Sequence, residues 1–279
     1  MPLLFLITMN IKTWDNQIIS VDLPENFVGR DLLAIPAVVD CHVHFRVPGG
    51  EHKEDWRTGA RAALHGGVTT VLDMPNNTPS VTTLELLEQK RGFIEGQLKE
   101  AGVPLRYGLY IGATKDNLAE IEKAKDYIVG IKLFMGSSTG TLLVDKKEDQ
   151  EAVFALAARL GIPLAVHAEN EALIQKNKAL HQGNDSLKVH GFIRNAEVAA
   201  TAVQWAIACC EKYKTRLYIL HVSTRGEVNL IREAKSRGVS VFAETTPHHL
   251  FLDSEACHVL GSKAQMNPPL RTPEDQEAL

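Results

Sequence analysis

From residue 35 onward the chain alternates short apolar runs with longer amphipathic stretches. The apolar runs cover residues 37–44, 68–74, 106–112, 129–135, 163–168, 217–222 and 240–245. They are apolar on both faces, whereas a strand with one wet face would alternate apolar with polar residues. Between them, residues 53–65, 83–101, 116–125, 148–160, 195–212 and 225–237 carry helical spacing. Gly102, Gly161 and Gly238 stand where helix-ending glycines belong. Strands buried on both faces need helices above and below, so the pattern predicts a parallel sheet covered by helices. An open doubly wound sheet and a (β/α)8 barrel both satisfy it.

Length bears on that choice. The chain has 279 residues, and a barrel takes about 250. Residues 1–34 read differently from the rest: β-prone pieces at 3–9 and 18–21, then Pro24, with no helical pattern. They predict a small β segment over 1–34, with the α/β domain over 35–279. Composition excludes several classes. At 44% hydrophobic and 23% charged the chain is globular, and a net charge of -4 leaves no basic stripe for a nucleic-acid backbone. The opening MPLLFLITMNIK lacks a basic flank and a small-residue cleavage site, so it reads as a strand and not a signal peptide. The most apolar helix, 196–210, is too short and too interrupted to span a bilayer. Four cysteines without a CxxC pair predict a soluble protein of the reducing cytoplasm.

Histidines carry the chemistry. His42 and His44 end the run VVDCHVH, His167 ends LAVH and His221 ends YILH. Residues two apart on a strand share a face, so His42 and His44 project together. Neutral imidazoles bind zinc well, and barrel active sites form at the C-terminal ends of strands. One such histidine is commonly just a hydrogen-bonded core residue; three strands placing histidine at one level predict a metal site. Lys132 lies inside the apolar strand IVGIKLFM, where an unpaired ammonium is costly. It either reaches the strand end or a carboxylate partner, or its amine has taken up carbon dioxide to become a metal-bridging carbamate. Arg46, two residues past His44, suits bidentate capture of a substrate carboxylate. Asn76 in DMPNNTP and Asn267 in QMNPPLR follow strands, in contexts that also fit plain turn chemistry. The GSSTG loop at 136–140 lacks the lysine of a phosphate loop, and no GxSxG elbow exists for a serine nucleophile. His248 and His249 fit either loop packing or hydrogen bonding to ligands of the site.

The segments PAVVDCHVHFRVPG, HKEDWRTGARAALHGGVTTVLDMPNNTP, VGIKLFMGSSTG, AVHAEN, LHVST, TTPHHL and NPPLR, in this order and spacing, resemble the dihydroorotases of the amidohydrolase superfamily. The resemblance implies a metal-dependent (β/α)8 barrel with a small β-sandwich, whose N-terminal part is residues 1–34. It implies two zinc ions per chain: one held by His42 and His44, the other by His167 and His221, bridged by carboxylated Lys132. Arg46 and Asn76, with Asn267, would hold the substrate carboxylate. The implied reaction interconverts N-carbamoyl-L-aspartate and L-dihydroorotate in pyrimidine synthesis. A hydantoinase or allantoinase is the alternative, and an inactive homologue with a structural role is another. The family also places a proton-shuttling aspartate on an eighth strand, expected beyond Leu279, so the barrel is expected to be truncated after strand 7. A homodimer, and association with an aspartate transcarbamoylase, are implied as partners.

Overall fold

The computed structural model describes residues 11–14, 17–21, 36–138, 142–184, 186 and 188–279. The chain divides into two compact units at Val38–Val39. In the first, β1 (Ile11–Trp14) and β2 (Gln17–Val21) form an antiparallel pair with a register shift between Lys12 and Thr13. The strand expected at residues 3–9 lies outside the described residues, as does Pro24.

The second unit carries β3 (Val38–Val43), β4 (Val68–Asp73), β5 (Arg106–Gly112), β6 (Gly130–Phe134), β7 (Leu164–His167), β8 (Leu217–Ile219) and β9 (Val241–Ala243). They form one sheet in chain order, and every pair from β4–β5 to β8–β9 is parallel. The connecting helices are α1 (Trp56–His65), α2 (Leu84–Ala101), α3 (Leu118–Lys123) and α4 (Lys147–Leu160). They continue with α5 (Glu171–Leu180), α6 (Val189–Ile193), α7 (Ala196–Tyr213), α8 (Arg225–Ser236), α9 (Pro247–Phe251), α10 (Ala256–Leu260) and α11 (Pro273–Ala278). This is the curled parallel sheet of the barrel class, seven strands among the described residues. An open doubly wound sheet would hold its first and last strands far apart. Here His42 of β3 touches Glu244, one residue past β9.

Local chemistry accounts for the helix ends. Asp55, Thr83, Asn170 and Asn195 cap α1, α2, α5 and α7 through their side chains, and Thr224 opens α8 with a full capping box to Glu227. Gly102 and Gly161 end α2 and α4 in the left-handed region, at φ of 64° and 67°. The helical spacing of the sequence does not predict α5, α6 or α9–α11. Each is short or largely wet, α5 burying only Ile174, so no apolar stripe announces it.

Strand alternation sorts the core. Ile131, Leu133, Leu164, Val166, Leu217 and Ile219 face outward against helix residues such as Phe154, Val203 and Ala206. The opposite, inner face carries Tyr110, Ala165 and Tyr218. Lys132, between Ile131 and Leu133, therefore points to the inner face. The strands stop earlier than the apolar runs do: β8 ends at Ile219 and β9 at Ala243. His221 thus lies two residues past β8, not at its end, on a backbone turned to φ of 40°.

Candidate active site

The site lies past the C-terminal ends of the strands, and two loops frame one side of it. The loop after β3 carries Arg46 and packs on the loop after β4, which carries Asn76. Thr78 N–H donates to Pro48 O at 3.1 Å. Gly49, at φ of 89°, sits so close that a Cβ there would lie 2.3 Å from Thr78 O. Beneath the loops, Asp73 accepts from Phe45 N–H at 2.9 Å and pairs with Lys90 of α2 at 2.6 Å. Lys90 also donates to Met74 O and to Asn77 Oδ1. One buried ion pair thus holds both loops to the strands that present the histidines. On the far side, Gly136 lets the loop after β6 approach β7: a Cβ there would lie 2.5 Å from Glu169 O.

A cavity of about 540 Å³ opens between these loops. His42, His44, Lys132, His167, His221, Arg46, Asn76 and Asn267 all line it. The structure therefore gathers every residue that the sequence singled out for metal or substrate. His42 Nε2 lies 3.2 Å from His44 Nε2, and His167 Nδ1 lies 3.0 Å from His221 Nε2. The pairs adjoin one another, with the His42 and His221 ring centroids 5.5 Å apart. Arg46 takes a left-handed backbone, φ 64°, as does His221. For residues other than glycine such backbones cost about 1–3 kcal/mol each and gather at functional sites.

Burial pushes three of these four rings, His44, His167 and His221, toward the neutral form. Burial, followed by His42, Arg46 and Lys132, drives His44 well below the usual histidine range. Burial, then His167 and Lys132, does the same to His221. His167 is lowered by burial against the pull of Glu169. Burial brings the Lys132 amine down to about 7, with Glu244 opposing. No carboxylate among the described residues forms an ion pair with Lys132, which instead faces the Phe134 ring at 4.3 Å.

The donor set fits divalent metal. Two nitrogens each about 2.0–2.1 Å from one zinc at a tetrahedral angle lie roughly 3.4 Å apart. The two histidine pairs come near that separation with lone pairs available. Among the described residues, no three side chains of His, Cys, Asp and Glu converge on one point. The arrangement is two histidine pairs and a lysine amine lining one cavity.

Sequence reasoning missed two carboxylates. Glu244 Oε1 lies 2.5 Å from His42 Nδ1, and its other oxygen accepts from Tyr218 Oη. Glu169 Oε2 lies 2.7 Å from His167 Nε2 and also accepts from Arg194. Both follow a strand closely, a position a search confined to the histidines passes over. Of the histidine pair at 248–249, His248 lines the cavity. His249 is buried away from it, between Thr246 Oγ1 at 2.7 Å and Pro268 O at 3.2 Å.

The chain is similar to several known proteins. The dihydroorotase of Methanosphaera stadtmanae is 34% identical, the match covering 95% of this chain and 64% of that protein. The dihydroorotase of Methanosarcina mazei is 36% identical, over 88% of this chain and 54% of its own length. The chain thus spans little more than half to two thirds of the length of these relatives. Among solved structures, the L-hydantoinase (dihydropyrimidinase) of Arthrobacter aurescens superposes with a TM-score of 0.83 at 26% identity, over 97% of this chain and 61% of that one. The model of the amidohydrolase family matches residues 33–253, a stretch that holds β3 to β9 and all four paired histidines, and to that family the chain belongs.

Proposed function

We propose that this chain is the barrel portion of a zinc-dependent cyclic amidohydrolase that interconverts N-carbamoyl-L-aspartate and L-dihydroorotate. One observation carries the reading: two histidine pairs and a buried lysine share a cavity with an arginine. Among the described residues, that Arg46 guanidinium has no carboxylate pair. In the proposal His42 and His44 hold one zinc, and His167 and His221 the other. The uncharged Lys132 amine attacks carbon dioxide: an N–C bond forms, one C=O π pair moves onto oxygen, and the amine gives up a proton to solvent water. The resulting carbamate would be a further anionic oxygen donor to the metal that the histidines would hold. When bound, divalent ions supply Lewis acidity that acidifies water and polarises an amide carbonyl.

The remaining residues orient the substrate. Arg46 takes the ring carboxylate in a bidentate contact, and Asn76 and Asn267 hold it from the flanking loops. That fixes the ring amide against the histidine wall, where proximity lowers the barrier. Among the described residues no carboxylate lines the cavity, and none is assigned to return the proton to the leaving ring nitrogen.

A second reading, a hydantoinase, is favoured by the fold match to L-hydantoinase. Arg46 separates the two, since a hydantoin ring carries no carboxylate. Zinc-loaded protein, supplied with bicarbonate, should convert L-dihydroorotate to carbamoyl-aspartate. Arg46→Ala should lower kcat/KM for dihydroorotate about 10- to 150-fold, the worth of a charged hydrogen bond, and leave a neutral hydantoin untouched. Turnover of hydantoin without dihydroorotate would establish the second reading.

A further inference from the structure

A carboxylate stands behind one ring of each histidine pair, Glu244 behind His42 and Glu169 behind His167. A neutral imidazole carries one proton, and only its other nitrogen can bind a metal. Left alone, the ring takes either tautomer. For His42 the outward nitrogen is Nδ1, 2.5 Å from Glu244 Oε1, while Nε2 faces His44. For His167 the outward nitrogen is Nε2, 2.7 Å from Glu169 Oε2, while Nδ1 faces His221. The nitrogens are exchanged between the two cases and the arrangement is the same: carboxylate outside, partner histidine inside.

Glu244 is itself held firmly. Tyr218 Oη donates to one of its oxygens, and the His221 backbone N–H donates to the other at 3.3 Å. Glu244 lines a groove beside Val228 and Ile231, not the cavity that holds the histidines. It therefore does not touch a substrate in that cavity. It joins three segments, though: β3 through His42, β8 through Tyr218, and the turn that carries His221.

We propose that Glu244 is a positioning residue: it fixes His42 as the Nδ1–H tautomer with the Nε2 lone pair turned to the metal, as Glu169 fixes His167 in the opposite tautomer. The inference rests on the reading of a metal centre given above. Outer carboxylates of this kind orient histidine ligands in many metal sites and raise their basicity.

Two measurements on the full chain test it. Zinc affinity is read by competition with a chelator in wild-type protein, Glu244→Ala and Glu244→Gln, each checked for native circular dichroism. Glu244→Ala should bind zinc about 10- to 100-fold more weakly. Glu244→Gln, whose carbonyl still accepts from Nδ1–H, should lose less than the alanine variant. In zinc-free wild-type protein at about pH 8, above the ordinary histidine range near 6.5, the ring 15N shifts of His42 should report a proton on Nδ1. Wild-type binding with an equally tight alanine variant overturns the positioning role and leaves the metal centre standing. Wild-type protein that binds no zinc overturns both. Should the alanine variant not fold, the tautomer decides: a proton on Nε2 of His42 sinks the proposal.

Discussion

Two lysines of this chain are buried to the same extent in opposite electrostatic surroundings. Lys90 on α2 is fully buried, and its three protons meet Asp73 at 2.6 Å, Met74 O at 2.8 Å and Asn77 Oδ1 at 2.9 Å. Lys132 on β6 is 1% exposed and faces an aromatic ring and a wall of histidines. Burial lowers both amines. At Lys90 the adjacent Asp73 carboxylate opposes the fall. At Lys132 only the more distant Glu244 does, and the amine comes down to about 7. An ammonium with three acceptors is a fixed structural cation, here the tie between the Arg46 and Asn76 loops. An amine without them, brought down to about 7, is partly uncharged near neutral pH and so open to reaction as a nucleophile.

That contrast can be broken by experiment. Lys132→Ala should lower dihydroorotate turnover by at least roughly 10³-fold, about 4 kcal/mol in the barrier. Its thermal midpoint should stay level or rise, because no ion pair is lost. Lys90→Met should do the reverse. Leaving Asp73 buried and unpaired should cost about 3–5 kcal/mol in urea denaturation, and Asp73→Asn added to it should recover part of the loss. Equal destabilisation by the two lysine variants would end the distinction.

The smallest effect is a slope. Folded Lys132 titrates near 7 and an ordinary lysine near 10.5, so between those values the unfolded chain binds the extra proton. Stability of zinc-free protein should therefore rise as pH climbs through that window, by at most about 1.4 kcal/mol per pH unit. Below pH 7 the penalty for burying the charged amine is present in full. Lys132→Met should flatten the slope over this window, as read by urea midpoints across pH. A wild-type stability that is flat from pH 7 to 10 would contradict the neutral amine.

The two lysines also mark what could be read in advance. Lys132 stood out because a cation inside IVGIKLFM breaks an apolar strand. Lys90 did not, because a lysine in an amphipathic helix reads as a wetted position, and only the packing of α2 shows that its charge ends on Asp73. The histidines divide the same way. That His42 and His44 share a face follows from the two-residue period of a strand. That His42 meets His221 and Glu244 does not follow, since Glu244 lies 202 residues away. The strands end before the predicted runs at β8, where apolar Leu220 and Val222 flank His221, and at β9, where the run includes the polar Glu244 and Thr245.

Sequence alone determined the alternation of strands and helices, the glycine stops of α2 and α4, the face of each strand that carries a histidine, and the odd charge at Lys132. All of these are set by covalent geometry within a few residues. Tertiary structure decided that the sheet curls until β3 reaches the end of β9, that four histidines become two pairs 3.2 and 3.0 Å apart, and that carboxylates stand behind one ring of each pair. Those facts depend on strand twist and helix packing summed over seven strands, which no local period encodes.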